Sequence, residues 1–290
     1  MPGLRFDLQS HSTYSDGALA PADVVRRAAG AGVELLALTD HDSVDGVDEA
    51  RAAAAQVAIG LVPAVELSAV DGGGDDVHVL GYLLDVHDPV LGERVAGARS
   101  ERATRAARMA DRLRELGFAV GDGVLERRRA AGRSIGRPHL AEAVVSHPAN
   151  RERLEREGVT TVDTFLPAYL IPGRPGFLPR TSPTVEQAIE WVHDAGGVAV
   201  WAHPFWDIAS PATVLETLER FRGWGVDGVE CFYRTHSREQ TDLLASECER
   251  RGLLTTGSAD FHGPEHALFN RFGAFELYGH EPNLGPLASS

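Results

Sequence analysis

The sequence predicts an α/β fold with one helical insert. Short apolar runs alternate with helical stretches up to about residue 85 and again from residue 184, the pattern that yields parallel β/α units. From residue 91 to residue 180 this alternation is replaced by Arg-rich helical sequence. At 290 residues the chain is long enough for one large domain that carries a smaller inserted one. We therefore predict a main domain at 1–90 and 181–290 and an inserted helical subdomain at 91–180.

The first part of the main domain is predicted from its apolar runs and its helix ends. Pro21 lies near the first turn of the first helix, where a missing N–H costs little, and Gly30 and Gly32 mark its end. The run at 33–39 is apolar enough for a strand covered on both faces. The predicted strands here are 4–8, 33–39, 61–65 and 77–83, and the predicted helices are 21–29 and 48–57.

The second part of the main domain follows a proline-rich return segment at 167–183. Its predicted strands are 198–201, 226–231 and 253–257, and its predicted helices are 184–195, 214–224 and 238–251. Within the insert we predict a helix at 91–116 and shorter helices around Leu125 and Leu140. The tail after Leu277 is rich in Gly and Pro, and we expect it to lie on the surface or to fray.

Composition excludes several classes of function. No apolar run approaches the roughly 20 residues that a membrane span needs, and no signal peptide is visible, so we expect a cytoplasmic protein without a membrane partner. Cys231 and Cys248 fit that reducing setting. The formal charge of −14 argues against broad binding to duplex nucleic acid. The negative charge does not exclude a small phosphorylated substrate.

Several histidines and acidic residues lie at similar positions relative to the predicted strands. Of the 12 histidines, five lie in predicted strands or in the loops that leave them. These histidines are His11, His41, His78, His203 and His262, and the acids in comparable places are Asp16, Asp40, Glu66, Glu230 and Asp260. Catalytic groups of β/α folds gather where strands open into loops. Any single histidine could simply cap a loop, but this repeated placement predicts a metal site.

The ligand types narrow the choice of metal. Neutral imidazole together with carboxylate suits zinc, manganese or iron. The number of ligands exceeds what one ion can use, which suggests two or three divalent metals that share a carboxylate, an arrangement suited to in-line displacement at phosphorus. The histidines without this placement are interpreted as surface or helix residues: His87, His147, His193, His236, His266 and His280.

A possible anion site lies in the insert. Arg137 and His139 stand at the apparent start of a helix, where backbone N–H groups and an Arg favour an anion. Proline near a helix start also has a purely structural explanation, so the motif leaves both interpretations open. Weaker candidates for binding phosphate are Arg133, Arg174 and Arg180.

These residues form motifs that resemble those of the PHP (polymerase and histidinol phosphatase) family. The motifs are Asp7-Leu8-Gln9-Ser10-His11-Ser12, Ser15-Asp16-Gly17, Thr39-Asp40-His41-Asp42, Val65-Glu66, His78, Ala202-His203-Pro204 and Asp260-Phe261-His262-Gly263. Their order and the helical insert resemble the small stand-alone bacterial members that act on nucleoside phosphates or on the 5′-ends of short oligonucleotides. The resemblance implies a distorted (β/α)7 TIM-like barrel with up to three metals at its C-terminal strand ends.

The resemblance also implies a role for each site residue. One metal would use His11, Glu66 and Asp260, with Gln9 where the family usually has another histidine; a second would use Glu66, His78 and His203; and the third would use Asp16, His41 and His262. Arg137 and His139 would hold a substrate phosphate, with Arg180 as a further candidate. Because a glutamine carbonyl is a weaker and harder ligand than imidazole, occupancy of the first metal position stays open.

The resulting hypothesis is a metal-dependent phosphoesterase acting on nucleoside monophosphates, 3′,5′-bisphosphates or short 5′-phosphorylated oligonucleotides. A metal-bound hydroxide would attack phosphorus, Arg137 would neutralise phosphate charge, and Asp260 or a ligating histidine such as His203 would manage protons. Aromatic residues near the ligands offer either stacking for a base or simple packing: Tyr14, Phe205 and Trp206. Two alternatives are an amidohydrolase-type hydrolase of C–N or ester bonds, and a degenerate metal-binding module without catalysis.

Overall fold

The computed structural model describes residues 4–72, 76–130, 135–181 and 183–289, and for Asp122 and Asp207 it describes the backbone alone. The candidate Arg133 therefore lies outside the described residues. Two compact units are present, the first made of Met1–Asp71, Asp76–Ala96 and Pro183–Ser290, and the second of Gly72–Asp75 and Gly97–Ser182.

The first unit is built on a single sheet of seven strands in sequential order. The strands are β1 (Phe6–Asp7), β2 (Leu35–Leu38), β3 (Gly60–Val70), β4 (Asp76–Tyr82), β5 (Val198–Trp201), β6 (Gly228–Tyr233) and β7 (Leu254–Ser258). The two ends of the sheet also meet, because Leu8 N–H donates to the Gly257 carbonyl at 3.1 Å and Ser10 bridges Phe261 in parallel. The sheet is thus a nearly closed barrel.

One strand departs from the parallel arrangement that the alternating pattern predicts. β4 runs antiparallel to both β3 and β5, whereas β1, β2 and β3 pair in parallel, as do β5, β6 and β7. The reason is the short connection after β3, which leaves no room for the helix that a parallel crossover requires. As a result, the beginning of β4, with His78 as its third residue, lies at the edge where the parallel strands end.

Helices surround the barrel of the first unit. They are α1 (Pro21–Gly30), α2 (Val47–Val57), α8 (Val185–Asp194), the single turn α9 (Pro204–Asp207), α10 (Pro211–Gly223) and α11 (Arg238–Arg251). Side chains cap the first turns of two of these helices. The side chains of Thr184 and Ser237 accept hydrogen bonds from backbone N–H groups three residues later, at the starts of α8 and α11. The predicted bounds of β5 and α11 are confirmed.

The barrel interior is filled by side chains from most of its strands. This cluster contains Phe6, Leu8, Leu35, Ala37, Val62, Ala64, Leu80, Tyr82, Val200 and Ala202, and also Leu284 and Leu287 from the tail. The tail therefore does not fray, and apart from Leu284 and Leu287 its described residues are exposed or partly exposed, as the expectation of a surface position requires. Burying Leu284 and Leu287 removes apolar surface from water, and Asn283 N–H donates to Thr255 Oγ1 at 2.7 Å, which fixes the tail to β7.

The second unit is helical and has a core of its own. Its helices are the C-terminal part of α3 (Pro89–Glu115), α4 (Asp122–Ala130), α5 (Arg137–Val145), α6 (Arg151–Glu157) and α7 (Val162–Tyr169). Buried apolar residues such as Leu113, Leu140 and Phe165 pack together. The start of α3 belongs to the first unit because Leu91 and Val95 pack in the core of that unit. Within the part of the chain that the structure describes, no helix is long and apolar enough to cross a membrane.

Candidate active site

The loop after β1 is shaped by Asp40 at the end of β2. The Asp40 carboxylate accepts hydrogen bonds from Ser12 N at 2.8 Å, Ser12 Oγ at 2.6 Å and Ser15 Oγ at 2.6 Å. The loop is so tight that a side chain at Gly17 would come within 2.2 Å of the His11 carbonyl oxygen. Asp40 therefore holds the loop that presents His11 and Asp16.

Asp16 lies at the centre of a first group of metal-ligand types. The candidate ligand atoms of His11, Asp16, His41 and His262 all lie within 4.8 Å of one another. One Asp16 oxygen is 3.7 Å from His11 Nδ1 and 3.5 Å from His262 Nε2, and the other is 3.6 Å from His41 Nε2. Burial opposes ionisation of Asp16, but the nearby rings of His41 and His262 lower its pKa well below the usual range.

Glu66 lies at the centre of a second group. Its Oε1 atom is 2.6 Å from His78 Nδ1 and 3.4 Å from His203 Nε2. Its Oε2 atom is 3.1 Å from His11 Nε2 and 3.5 Å from His41 Nδ1. Both oxygens of one buried carboxylate thus face imidazole rings, which is the arrangement expected of a bridging ligand.

Asp260, two residues after β7, joins the two groups. Its Oδ1 atom is 3.0 Å from His11 Nε2, and its Oδ2 atom accepts a hydrogen bond from the Tyr233 hydroxyl at 2.8 Å. Burial raises the pKa of Asp260, but the nearby His262 and His11 outweigh burial and lower that pKa to about 2. Asp260 and His203 both have positive φ angles, +52° and +29°, a costly conformation that concentrates at functional sites.

The residues present fit divalent metals. Three carboxylates, from Asp16, Glu66 and Asp260, are buried or nearly buried beside imidazole rings, a mixed donor set suited to zinc, manganese or iron. Buried His11 Nε2, Asp16 Oδ1 and Asp260 Oδ1 have no hydrogen-bond partner among the described residues, although each lies near other ligand atoms. Buried polar atoms without a hydrogen bond are costly unless something else satisfies them.

Gln9 lies in the same buried region but makes a different kind of contact. Its Nε2 atom donates to Glu66 Oε2 at 2.9 Å, and its Oε1 atom accepts from the Ser258 hydroxyl at 3.3 Å. The structure thus brings all nine predicted metal-binding residues of the first unit to one edge of the barrel. These are Gln9, His11, Asp16, His41, Glu66, His78, His203, Asp260 and His262.

Three supporting residues were not predicted to have the roles that they show. The sequence pattern does not single out Tyr233 or Ser258, because each is the last residue of its strand and belongs to no motif. Glu230 Oε1 lies 2.6 Å from the Ser258 hydroxyl and shares its single proton with Gln9 Oε1. Glu230 Oε2 accepts from His203 N–H at 3.0 Å, so Glu230 orients the loop of His203. Burial raises the pKa of Glu230 to about 8.

His236 is not the surface or helix residue that the sequence predicts. Its side chain is buried, and its Nδ1 atom lies 3.0 Å from the Cys231 carbonyl oxygen. Burial lowers the pKa of His236 to about 4. Its position three residues after β6 is the signal that could have revealed it.

The candidate phosphate-binding residues belong to the second unit. Arg137 begins α5, and His139 Nδ1 accepts a hydrogen bond from Gly136 N–H at 3.0 Å, which gives His139 a helix-capping role. Arg174 is exposed. Arg180 is buried, with its Nη1 atom 3.6 Å from Glu101 Oε2, and this ion pair offers a structural role for it. The substrate-binding roles of Arg137, His139 and Arg180 stay predictions.

Comparison with known proteins decides the family. A model of the PHP domain matches residues 7–118. The chain is 35% identical over 261 residues to the 3′,5′-nucleoside bisphosphate phosphatase of Chromobacterium violaceum, covering 90% of this chain and 88% of that protein. The chain belongs to the PHP family.

Two further proteins agree with this membership. A 5′-3′ exoribonuclease of Haemophilus influenzae is 31% identical over 261 residues, which cover 90% of each chain. A solved structure from Bifidobacterium adolescentis, described as a metal-dependent phosphoesterase, matches with a TM-score of 0.79 and 28% identity over 99% of this chain and 95% of that one. The PHP resemblance, the barrel fold and the class of metal-dependent phosphoesterase are confirmed.

Proposed function

We propose that this PHP protein releases phosphate from small nucleotides, with 3′,5′-nucleoside bisphosphates as the leading substrate class. The observation that carries the proposal is the shared Glu66 carboxylate, whose two oxygens face four imidazole rings at one edge of the barrel. The Chromobacterium violaceum relative is named for this substrate class. The net charge of −14 also favours a small substrate over a nucleic acid duplex.

Two or three divalent metals fit this proposal, and manganese, zinc and iron suit the ligands. Glu66, His78 and His203 would hold one, Asp16, His41 and His262 a second, and His11 and Asp260 would contribute to a further position beside Glu66. When bound, such metals supply an activated water and stabilise charge on phosphate oxygens.

The protein itself positions the acids and bases. Tyr233 holds Asp260 Oδ2, so Oδ1 is the oxygen turned toward His11. Since the pKa of Asp260 is lowered to about 2, its carboxylate is ionised at neutral pH, and its Oδ1 atom is better suited to a metal than to accepting a proton. His203 is the remaining candidate for proton transfer, and Glu230 fixes its backbone through the His203 N–H.

An aromatic surface in the first unit favours a nucleotide over a simple phosphate ester. Trp206 is 50% exposed, and its ring centroid lies 5.5 Å from that of Phe269. Phe269 in turn lies 5.5 Å from the His262 ring. An exposed indole this close to the ligand cluster is placed to stack on a base whose phosphate is bound there.

A substrate comparison tests the proposal. Phosphate release would be measured with adenosine 3′,5′-bisphosphate and AMP, mononucleotide release with a short 5′-phosphorylated oligoribonucleotide, and ammonia release with a primary carboxamide, each with manganese and with zinc. We expect the highest kcat/KM for the bisphosphate. Turnover confined to the oligonucleotide would support exoribonuclease action, which the Haemophilus influenzae relative carries in its name. Turnover of the carboxamide alone would overturn phosphoesterase action.

A further inference from the structure

Gln9 occupies a position where the PHP family usually has a metal-binding histidine, and its contacts point to a different role. It follows β1 and is completely buried. Both ends of its side-chain amide are engaged by other side chains. The amide nitrogen donates to Glu66 Oε2 at 2.9 Å, and the amide oxygen accepts from the Ser258 hydroxyl at 3.3 Å.

The chemistry of Glu66 fixes the orientation of this amide. An ionised carboxylate accepts hydrogen bonds and cannot donate them, so only the NH2 end of Gln9 can bond to it. Rotating the amide by half a turn would place the Gln9 carbonyl oxygen against a carboxylate oxygen, with the loss of a charge-assisted hydrogen bond. The Gln9 carbonyl oxygen, the only atom of this side chain able to bind a metal, therefore faces Ser258, whose single hydroxyl proton it shares with Glu230 Oε1.

Ser258 connects Gln9 to a closed circuit of buried contacts. The Ser258 hydroxyl also lies 2.6 Å from Glu230 Oε1, and Glu230 Oε2 accepts from His203 N–H at 3.0 Å. His203 Nε2 returns to Glu66 Oε1 at 3.4 Å. Turning the Gln9 amide toward a metal would break its contacts with both Glu66 and Ser258.

We infer that Gln9 is a positioning residue for the shared Glu66 carboxylate and does not bind metal, so that this chain holds two divalent cations tightly and a third only weakly. The inference rests on the proposed metal-dependent function. Without Gln9, the first metal position keeps His11, Glu66 and Asp260, and Glu66 is shared with the second position. The groups around Asp16 and Glu66 do not depend on Gln9 for a ligand.

Metal content read without substrate tests the inference. Purified full-length protein would be stripped, reconstituted with excess Mn²⁺, passed through gel filtration and analysed for manganese by mass spectrometry. We expect two equivalents in the wild type and three in Gln9→His, which restores an imidazole. Three equivalents in the wild type, fewer than two in the wild type, or no gain in Gln9→His would each overturn the inference.

A second variant separates positioning from ligation. Gln9→Leu keeps the volume near that of Gln9 and removes both hydrogen bonds, so we expect two bound manganese ions with the weaker of the two dissociation constants raised about 10-fold to 100-fold. Calorimetric titration would measure the dissociation constants, and the melting temperature of the metal-free protein would show that the variant still folds. Unchanged dissociation constants in a folded variant would overturn the positioning role. Wild-type protein that binds two equivalents but releases no phosphate would overturn the proposed function and leave this inference supported.

Discussion

The Tyr233 hydroxyl donates a hydrogen bond to Asp260 Oδ2 at 2.8 Å, so a residue at the end of β6 fixes a candidate ligand that follows β7. This contact leaves Asp260 Oδ1 turned toward His11 Nε2, 3.0 Å away. The Tyr233 hydrogen bond to Oδ2 thus orients the Asp260 carboxylate, and Oδ1 is the oxygen that faces the candidate metal ligands.

Replacing Tyr233 with Phe should lower kcat about 10-fold, because a hydrogen bond to a charged group contributes about 1.5–3 kcal/mol. The ring would keep its packing against Phe269. Steady-state kinetics on the bisphosphate would measure the effect, with bound manganese as the control. An unchanged kcat would show that Asp260 does not need this contact.

Glu66→Gln should remove at least one metal, since it replaces the shared carboxylate charge with a neutral amide. Manganese content after gel filtration would measure the loss. Glu239→Gln is the matched control, because Glu239 is an exposed residue of α11. Equal metal content in the two variants would contradict the bridging role of Glu66.

We expect Arg137→Ala to lower kcat/KM for phosphate substrates about 100-fold, because the proposed role of Arg137 is a charge-assisted contact to phosphate, while bound metal stays unchanged. Arg151→Ala provides the control for loss of a positive charge, because Arg151 is exposed at the start of α6 and has no predicted role in the site. Loss of metal in Arg137→Ala would show that its assigned role in binding substrate is wrong.

Trp206→Ala should raise KM for adenosine 3′,5′-bisphosphate about 10-fold, because stacking on a base contributes about 1–3 kcal/mol. KM for p-nitrophenyl phosphate, which has no base, should stay within about twofold. Trp206→Phe should recover most of the affinity. An equal rise in KM for both substrates would indicate a packing role for Trp206.

Protonation of His236 should make stability depend on pH. Its pKa is about 4 in the folded protein because of burial, against an ordinary value of 6.5, so the unfolded chain binds more protons between these values. Stability should therefore fall as pH decreases from about 6.5 to about 4, by on the order of 3 kcal/mol from this residue. Urea unfolding of the metal-free protein would measure it.

The matched variant for this effect is His236→Phe, which keeps a ring beside Phe205. As pH falls across the same interval, the wild type should lose more of its unfolding free energy than the variant does. A difference that does not vary with pH would show that His236 is not the group responsible.

Much of the site could be predicted from the sequence, because several candidate ligands come directly after a predicted strand. His41 follows β2 and His203 follows β5, so a strand pattern with a histidine after it already places these residues at one edge. The β4 strand is harder to assign, because its apolar pattern is the same in either direction. Its antiparallel pairing decides that His78, near its beginning, arrives at that edge.

The strand and helix pattern, the helical insert and the set of candidate metal ligands could be predicted from the sequence, because apolar periodicity and residue type are local properties. Three features depend on contacts between distant parts of the chain: the burial of Leu284 and Leu287, the burial of His236, and the orientation of the Gln9 amide. The last depends on Ser258, which lies 249 residues further along the chain. Such contacts arise when barrel closure brings β1 beside β7, and no local pattern specifies the partner that a side chain meets there.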